Sequence, residues 1–124
     1  MYSGTEVSSE TMGLLPTPSG YRMLIALPVV NEKTAGGIFL PGDVRKREET
    51  ASVMGLVLKM GPDCYLDPDR FPNGKYCQEG DWVLIRSYVG TRFKLKDNPQ
   101  EYRIINDDVV EGVIPDPSKL ERAF

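Results

Sequence analysis

The sequence contains no histidine. That removes the usual general base near neutral pH, the commonest metal ligand, and any nucleophile that relies on an imidazole. Cysteine is scarce as well. Cys64 and Cys77 are the two in 124 residues, too few to hold a structural zinc ion by themselves. They flank one loop; a cytosolic chain would keep them as thiols, and a disulfide across a hairpin is the alternative. No apolar run is long enough to span a bilayer. The first twenty residues, MYSGTEVSSETMGLLPTPSG, have neither the basic start nor the apolar core of a secretory signal, so a cytoplasmic location is expected. Positive charge is not in excess either: Lys and Arg number 15 against 18 Asp and Glu, a net charge of −3. Phosphate binding needs a positive field, so nucleic acid is disfavoured as the main partner, and no membrane association is expected.

What the chain does have is turns and short alternating strands. Twelve glycines and ten prolines break it into small pieces, and the length suits one domain. Residues 1–20, rich in Ser, Thr, Gly and Pro, read as a flexible tail. YRMLIALPVV places Tyr21, Met23, Ile25 and Leu27 on one face at period 2, a strand. In ASVMGLVLKMG, Met54, Leu56, Leu58 and Met60 share one face, and Val53, Val57 and Lys59 the other. Gly55 suggests a bend or a close backbone approach. Residues 61–80 are irregular, with Asn73-Gly74 as the turn of an expected hairpin. DWVLIRSYVG, TRFKLK, EYRIIN and DDVVEGVI supply the remaining strands. The C-terminal PDPSKLERAF spaces Ser118 and Glu121 as a capping box, enough for one or two helical turns. Five to seven short strands with glycine at the corners make an all-β chain, a small, partly open β-barrel.

One stretch resists this reading. In NEKTAGGIFLPGDVRKREE, residues 31–49, the apolar triplet Ile38-Phe39-Leu40 sits among glycines and charges. Gly36, Gly37 and Gly42 are permissive on both sides of it, and Pro41 biases Leu40 toward extended backbone. Taken alone, the triplet is either a short buried strand or an anchor that a partner buries.

The ordered pieces resemble the GroES-type, or chaperonin-10, co-chaperonin family. The pieces are YRMLIALPVVNEKTAGGIFL, GLVLKMG with its Gly-x-Val-x-x-x-Gly pattern, EGDWVLI, and EYRIINDDVVEGVI. The resemblance runs from about Tyr21 to Ile114. Phe39 departs from it by standing where an aliphatic residue is usual, and the loop after Leu40 is longer than in many relatives. These decorations are similar to those of bacteriophage-encoded members, for which the location would be the host cytoplasm.

The resemblance implies an architecture and a role. The domain would be 21–114, with a mobile loop at about 31–50, a roof loop at about 61–80 and a C-terminal tail at 115–124. The chain would form a homo-heptameric ring that caps a GroEL-type chaperonin, which binds the ATP and encloses client proteins. It would itself need no cofactor or metal and would not be an enzyme. Gly36, Gly37, Ile38, Phe39 and Leu40 would be the chaperonin anchor. Met23, Ile25 and Leu27 of one subunit would meet Val110, Val113 and Ile114 of the next. Tyr65, Phe71 and Tyr88 would face the cavity or the roof. Two other classes were weighed. One is a small β-barrel binding module for peptide or single-stranded nucleic acid, suggested by Trp82, Tyr88, Arg86, Arg92 and Lys94. The other is an oligomeric hydrolase using Asp107 and Asp108.

Overall fold

In the computed structural model, residues 2–3, 7–30, 33–34, 37–38, 51–96, 98–120 and 123 are described, with backbone alone for 2–3, 29–30, 33–34 and 37–38. The fold is all-β. Its body is one antiparallel six-stranded sheet formed by β2 (Arg22–Ala26), β6 (Met54–Met60), β7 (Trp82–Leu84), β8 (Thr91–Lys94), β9 (Glu101–Asn106) and β10 (Gly112–Ile114), in the order β10-β7-β6-β2-β9-β8. Two small ladders stand beside it. β1 (Tyr2–Ser3) pairs with β3 (Val29–Val30), and β4 (Lys33–Thr34) pairs with β5 (Gly37–Ile38). The main sheet does not close, because β10 and β8 end it and each has one strand neighbour among the described residues.

The two faces of the sheet bury different groups. Met23, Ile25, Val57, Val83, Ile85, Ile105 and Val110 build the main core, together with Tyr65, Phe71, Cys64 and Cys77 from the 61–80 loop. Leu24, Ala26 and Tyr102 point the other way, into a second cluster with Leu15, Leu58, Phe93 and Ile104. Phe93 and Tyr102 stack there with centroids 5.7 Å apart. Burial on both sides explains the near-continuous apolar run Met23-Leu24-Ile25-Ala26 in a strand with a neighbour on each edge.

A β-bulge alters the expected faces of β6. Leu24 pairs with Lys59 but Ile25 pairs with Val57, leaving Leu58 as the extra residue. Alternation therefore holds from Met54 to Leu58 and then inverts. Met60 turns to the main core opposite Met23, and Lys59 turns to the second face. Gly55 lies at a close approach, where an added Cβ would come within 2.8 Å of Ile25 Cδ1.

Three other expectations are corrected. Residues 1–20 are not simply a tail: Ser9–Leu14 form a helix, α1, capped by the Ser8 hydroxyl, which accepts from the Thr11 amide at 3.2 Å, and Leu15 is buried. The 61–80 loop contains turns and no strand, so it is not a hairpin. Near the C-terminus the described residues hold a 3-10 turn, Pro117–Lys119, capped by Asp116 rather than Ser118; Glu121, the other half of the expected capping box, lies outside the described residues. The Asp116 carboxylate accepts from the Ser118 amide at 3.0 Å. Cys64 and Cys77 are free thiols, both buried. No helix among the described residues is long and apolar enough to cross a membrane.

Candidate functional site

Of the expected chaperonin anchor, Gly36, Phe39 and Leu40 lie outside the described residues. The backbone of Gly37 and Ile38 forms β5, in the register Lys33↔Ile38 and Thr34↔Gly37. The chain enters this stretch from β3, on which β1 lies in the register Tyr2↔Val30 and Ser3↔Val29. It re-emerges at Ala51, which is buried. The Val53 carbonyl then accepts from the Ile85 amide at 2.8 Å. Both roots of the stretch are thus attached to other parts of the chain.

The expected subunit interface divides. Met23, Ile25 and Leu27 belong to the main core, and both edges of β2 are already paired, with β6 and with β9. A strand bonded on both sides has no edge to offer a neighbouring subunit, so these three residues are corrected to core. Val110 and Ile114 are buried within the subunit too. Val113 differs: it is 47% exposed, on the strand that leaves one end of the sheet open. The opposite edge strand, β8, carries exposed Arg92 and Lys94, charges of the kind that discourage strand addition. β10, of sequence GVI, carries none.

The expected roof residues divide in the same way. Tyr65 and Phe71 do not line an open cavity; they are buried side chains of the main core. Their rings meet edge to face at 4.9 Å, and Tyr76 closes a three-ring cluster at 5.3 Å from Tyr65 and 5.1 Å from Phe71. Asp107, fully buried, fixes this loop to the end of β9. Its Oδ2 accepts from the Tyr65 amide at 3.0 Å, and its Oδ1 accepts from Arg70 Nη2 at 2.8 Å. The Arg70 guanidinium lies 5.0 Å from the Tyr21 ring centroid and 4.8 Å from that of Phe71, a cation–π sandwich. Asp108 Oδ2 is 3.7 Å from the same guanidinium. The two aspartates weighed as a catalytic pair therefore face one arginine, and the Asp107 carboxylate is occupied by structural donors. Burial pushes the Cys64 thiol up to about 11 and raises the Cys77 thiol and the Tyr65 hydroxyl as well.

Tyr88 is 83% exposed, at the turn between β7 and β8. A buried guanidinium supports that turn. Arg103 Nη1 donates to the Ser87 carbonyl, and its Nε donates to Glu101 Oε2 at 2.9 Å. Arg92 also reaches Glu101, Nη2 to Oε1 at 3.1 Å. Burial opposes the Glu101 charge, but the two arginines prevail and hold its carboxyl below the ordinary glutamate range. Gly90 completes the turn at φ +80°, where an added Cβ would run into the Ile104 carbonyl oxygen. Among the described residues, no group of three or more Cys, Asp or Glu side chains is placed to hold a metal ion.

Sequence reasoning overlooked Arg70, Arg103 and Lys59. Lys59 donates from Nζ to the carbonyls of Met12 at 3.0 Å and Leu15 at 3.2 Å. The one available signal was an Arg or Lys inside an apolar strand, as in EYRIIN and GLVLKMG.

Comparison with known proteins gives a consistent result. Residues 16–114 match the family described as Chaperonin 10 Kd subunit. The Co-chaperonin GroES of Caldicellulosiruptor saccharolyticus is 32% identical over 99 residues, which cover 80% of this chain and 96% of that protein. The Co-chaperonin GroES of Clostridium beijerinckii is 31% identical over 97 residues, 78% of this chain and 95% of that protein. That of Rubrobacter xylanophilus is 32% identical over 97 residues, 78% and 93% respectively.

Proposed function

The chain belongs to the chaperonin 10 kDa subunit family, and from that premise we propose that it is a co-chaperonin: a ring-shaped lid, in the cytoplasm, that caps a GroEL-type chaperonin while the partner binds ATP and client proteins fold beneath it. The chain contributes no catalysis of its own. The observation that carries the reading is the extent of the match. It spans residues 16–114 and takes in nearly the whole length of relatives named co-chaperonins.

The anchor is Gly36, Gly37, Ile38, Phe39 and Leu40, and magnitudes explain why it must be presented many times. Burying three such apolar side chains contributes roughly 4.5–9 kcal/mol, at about 1.5–3 kcal/mol each. Ordering a segment on binding costs about 2–5 kcal/mol. The difference corresponds to roughly millimolar affinity for one copy. A rigid ring of identical copies makes every binding event after the first intramolecular, so the whole holds while each contact stays weak enough to release. Seven copies would match the partner's own symmetry. The open β10 edge with Val113 would be the side from which such a ring is joined, and the exposure of Tyr88 supports a role for it at the cavity or roof.

The direct test is refolding of a stringent client by a bacterial chaperonin and ATP, with and without this protein. Recovery of activity that requires the added chain is expected, as is a native mass near seven subunits of 13.9 kDa each. A monomer that gives no rescue would overturn the reading.

A further inference from the structure

The N-terminal segment precedes the part of the chain that matches the family, which begins at residue 16. It is nevertheless attached at both ends. Its far end, β1, pairs with β3 immediately before the 31–50 stretch. Its near end lies on the second face of the sheet. Leu15 is 5% exposed there, among Leu24, Ala26 and Tyr102, and Val7 and Met12 pack against the same group. Lys59, turned to that face by the β6 bulge, donates to the Met12 and Leu15 carbonyls. These acceptors lie in the last turn and at the C-cap of α1, where the Met12 carbonyl also accepts from the Leu15 amide at 3.3 Å and the helix dipole favours a cation.

The attachment is built to release. α1 has six residues, includes Gly13 and buries none of its side chains, so it has little stability of its own. Pro16 and Pro18 follow it, which keeps the link to β2 extended. At its near end the hold therefore depends on one buried leucine, two partly covered apolar residues and one lysine.

We propose that the N-terminal segment, held by residues 2–3 at one end and 7–15 at the other and latched by Leu15 and Lys59, acts as a strap that restrains the root of the 31–50 stretch and so tunes how strongly that stretch engages its partner. The regulatory part rests on the reading that 31–50 carries the chaperonin anchor; the strap itself does not. With the strap closed, β3 is paired and the root is ordered before binding. With it lifted, that order has to be gained at the moment of binding, and affinity falls.

Amide hydrogen exchange on the full-length protein tests the latch. Lys59→Met should speed exchange in α1 and in the β1–β3 ladder by at least tenfold, with β2 and β9 unchanged. Leu15→Ser should do the same, which guards against an effect peculiar to one substitution. Unchanged exchange in α1 and β1–β3, or equal loss across β2 and β9, overturns the strap. Binding of the wild type and Lys59→Met to a bacterial chaperonin with ATP tests the consequence. The variant should bind at least threefold more weakly at an unchanged native mass. Equal binding despite faster exchange overturns the regulatory role. A wild type that does not bind overturns the co-chaperonin reading instead, and the exchange result then decides the strap alone.

Discussion

Tyr65 is tied to Asp107 twice: its amide donates to the carboxylate at 3.0 Å, and its hydroxyl donates to the backbone carbonyl at 2.7 Å. The two bonds hold Tyr65 at φ +60°, the one described non-glycine residue with a positive φ. For a tyrosine that conformation is strained, and the bonds to Asp107 offset it. Tyr65→Phe keeps the amide bond but removes the hydroxyl, with its bond to the Asp107 carbonyl and its contacts to Met23 Sδ at 3.5 Å and Cys77 Sγ at 3.4 Å, and should cost about 1–2 kcal/mol. The measurement is urea unfolding, with a lower midpoint and an unchanged slope. Asp107→Ala keeps that backbone carbonyl but removes the carboxylate that accepts from the Tyr65 amide and pairs with Arg70. It should cost more and open residues 61–80 to protease.

Core and interface should separate by substitution. Ile25→Ala should cost about 2–5 kcal/mol of subunit stability, as a buried deletion with a residual cavity. Val113→Lys should leave the monomer fold intact and dissociate the assembly, because a charge on an open edge blocks strand addition. Sedimentation with circular dichroism distinguishes the two. An assembled Val113→Lys ring would mean that subunits join elsewhere.

The anchor is tested without disturbing the ring. Ile38→Asp or Leu40→Asp should abolish capping, since one charge per copy is repeated around the ring. The native mass should not change. Capping that survives either change would place the anchor outside the triplet.

Acid should weaken the fold partly through Glu101. Its carboxyl is desolvated, which works against the charge, but Arg92 and Arg103 keep it charged below the ordinary range. A carboxylate lowered on folding adds stability that is present above its unfolded value, about 4.3, and is lost as pH falls through the folded value. Glu101→Gln should therefore flatten the decline in urea midpoint below about pH 4.3. It should also lower stability at neutral pH. Parallel acid profiles for variant and wild type would remove Glu101 from the account.

The two thiols should be inert in the native state. A Cys64 value pushed up to about 11 leaves on the order of 100-fold less thiolate at pH 8 than a free cysteine would have, and burial restricts access as well. Iodoacetamide should label neither Cys64 nor Cys77 until urea unfolds the chain, with mass spectrometry as the readout. Rapid native labelling at either site would mean that the 61–80 loop opens readily.

Much of the sheet was legible because period-2 patterns state where strands lie. EYRIIN is β9 residue for residue, and TRFK is β8. Legibility failed where one extra residue or one distant partner decided the outcome. The bulge at Leu58 inverted the faces of Lys59 and Met60, and nothing local announces a bulge. Placing β2 at an interface ignored a readable signal: Met23-Leu24-Ile25-Ala26 is apolar at every position, which suits a central strand covered on both faces. The 61–80 loop looked like a hairpin because its turn residues are visible and its anchor, Asp107, lies far along the chain. As for the anchor stretch, Gly36, Phe39 and Leu40 lie outside the described residues, so the triplet rests on pattern and on kinship.

β9 carries one charged fastening in its first half and a second just past its C-terminal end. Glu101 and Arg103 hold the Tyr88 turn at one end, and Asp107 holds the three-ring cluster at the other. Four residue steps from Arg103 to Asp107, at about 3.3 Å each, set roughly 13 Å between them. The strand thus works as a ruler. Lengthening or shortening it by one residue would shift one fastening against the other and turn the intervening side chains over, so evolution or engineering can vary the two loops freely but not the rod that spaces them.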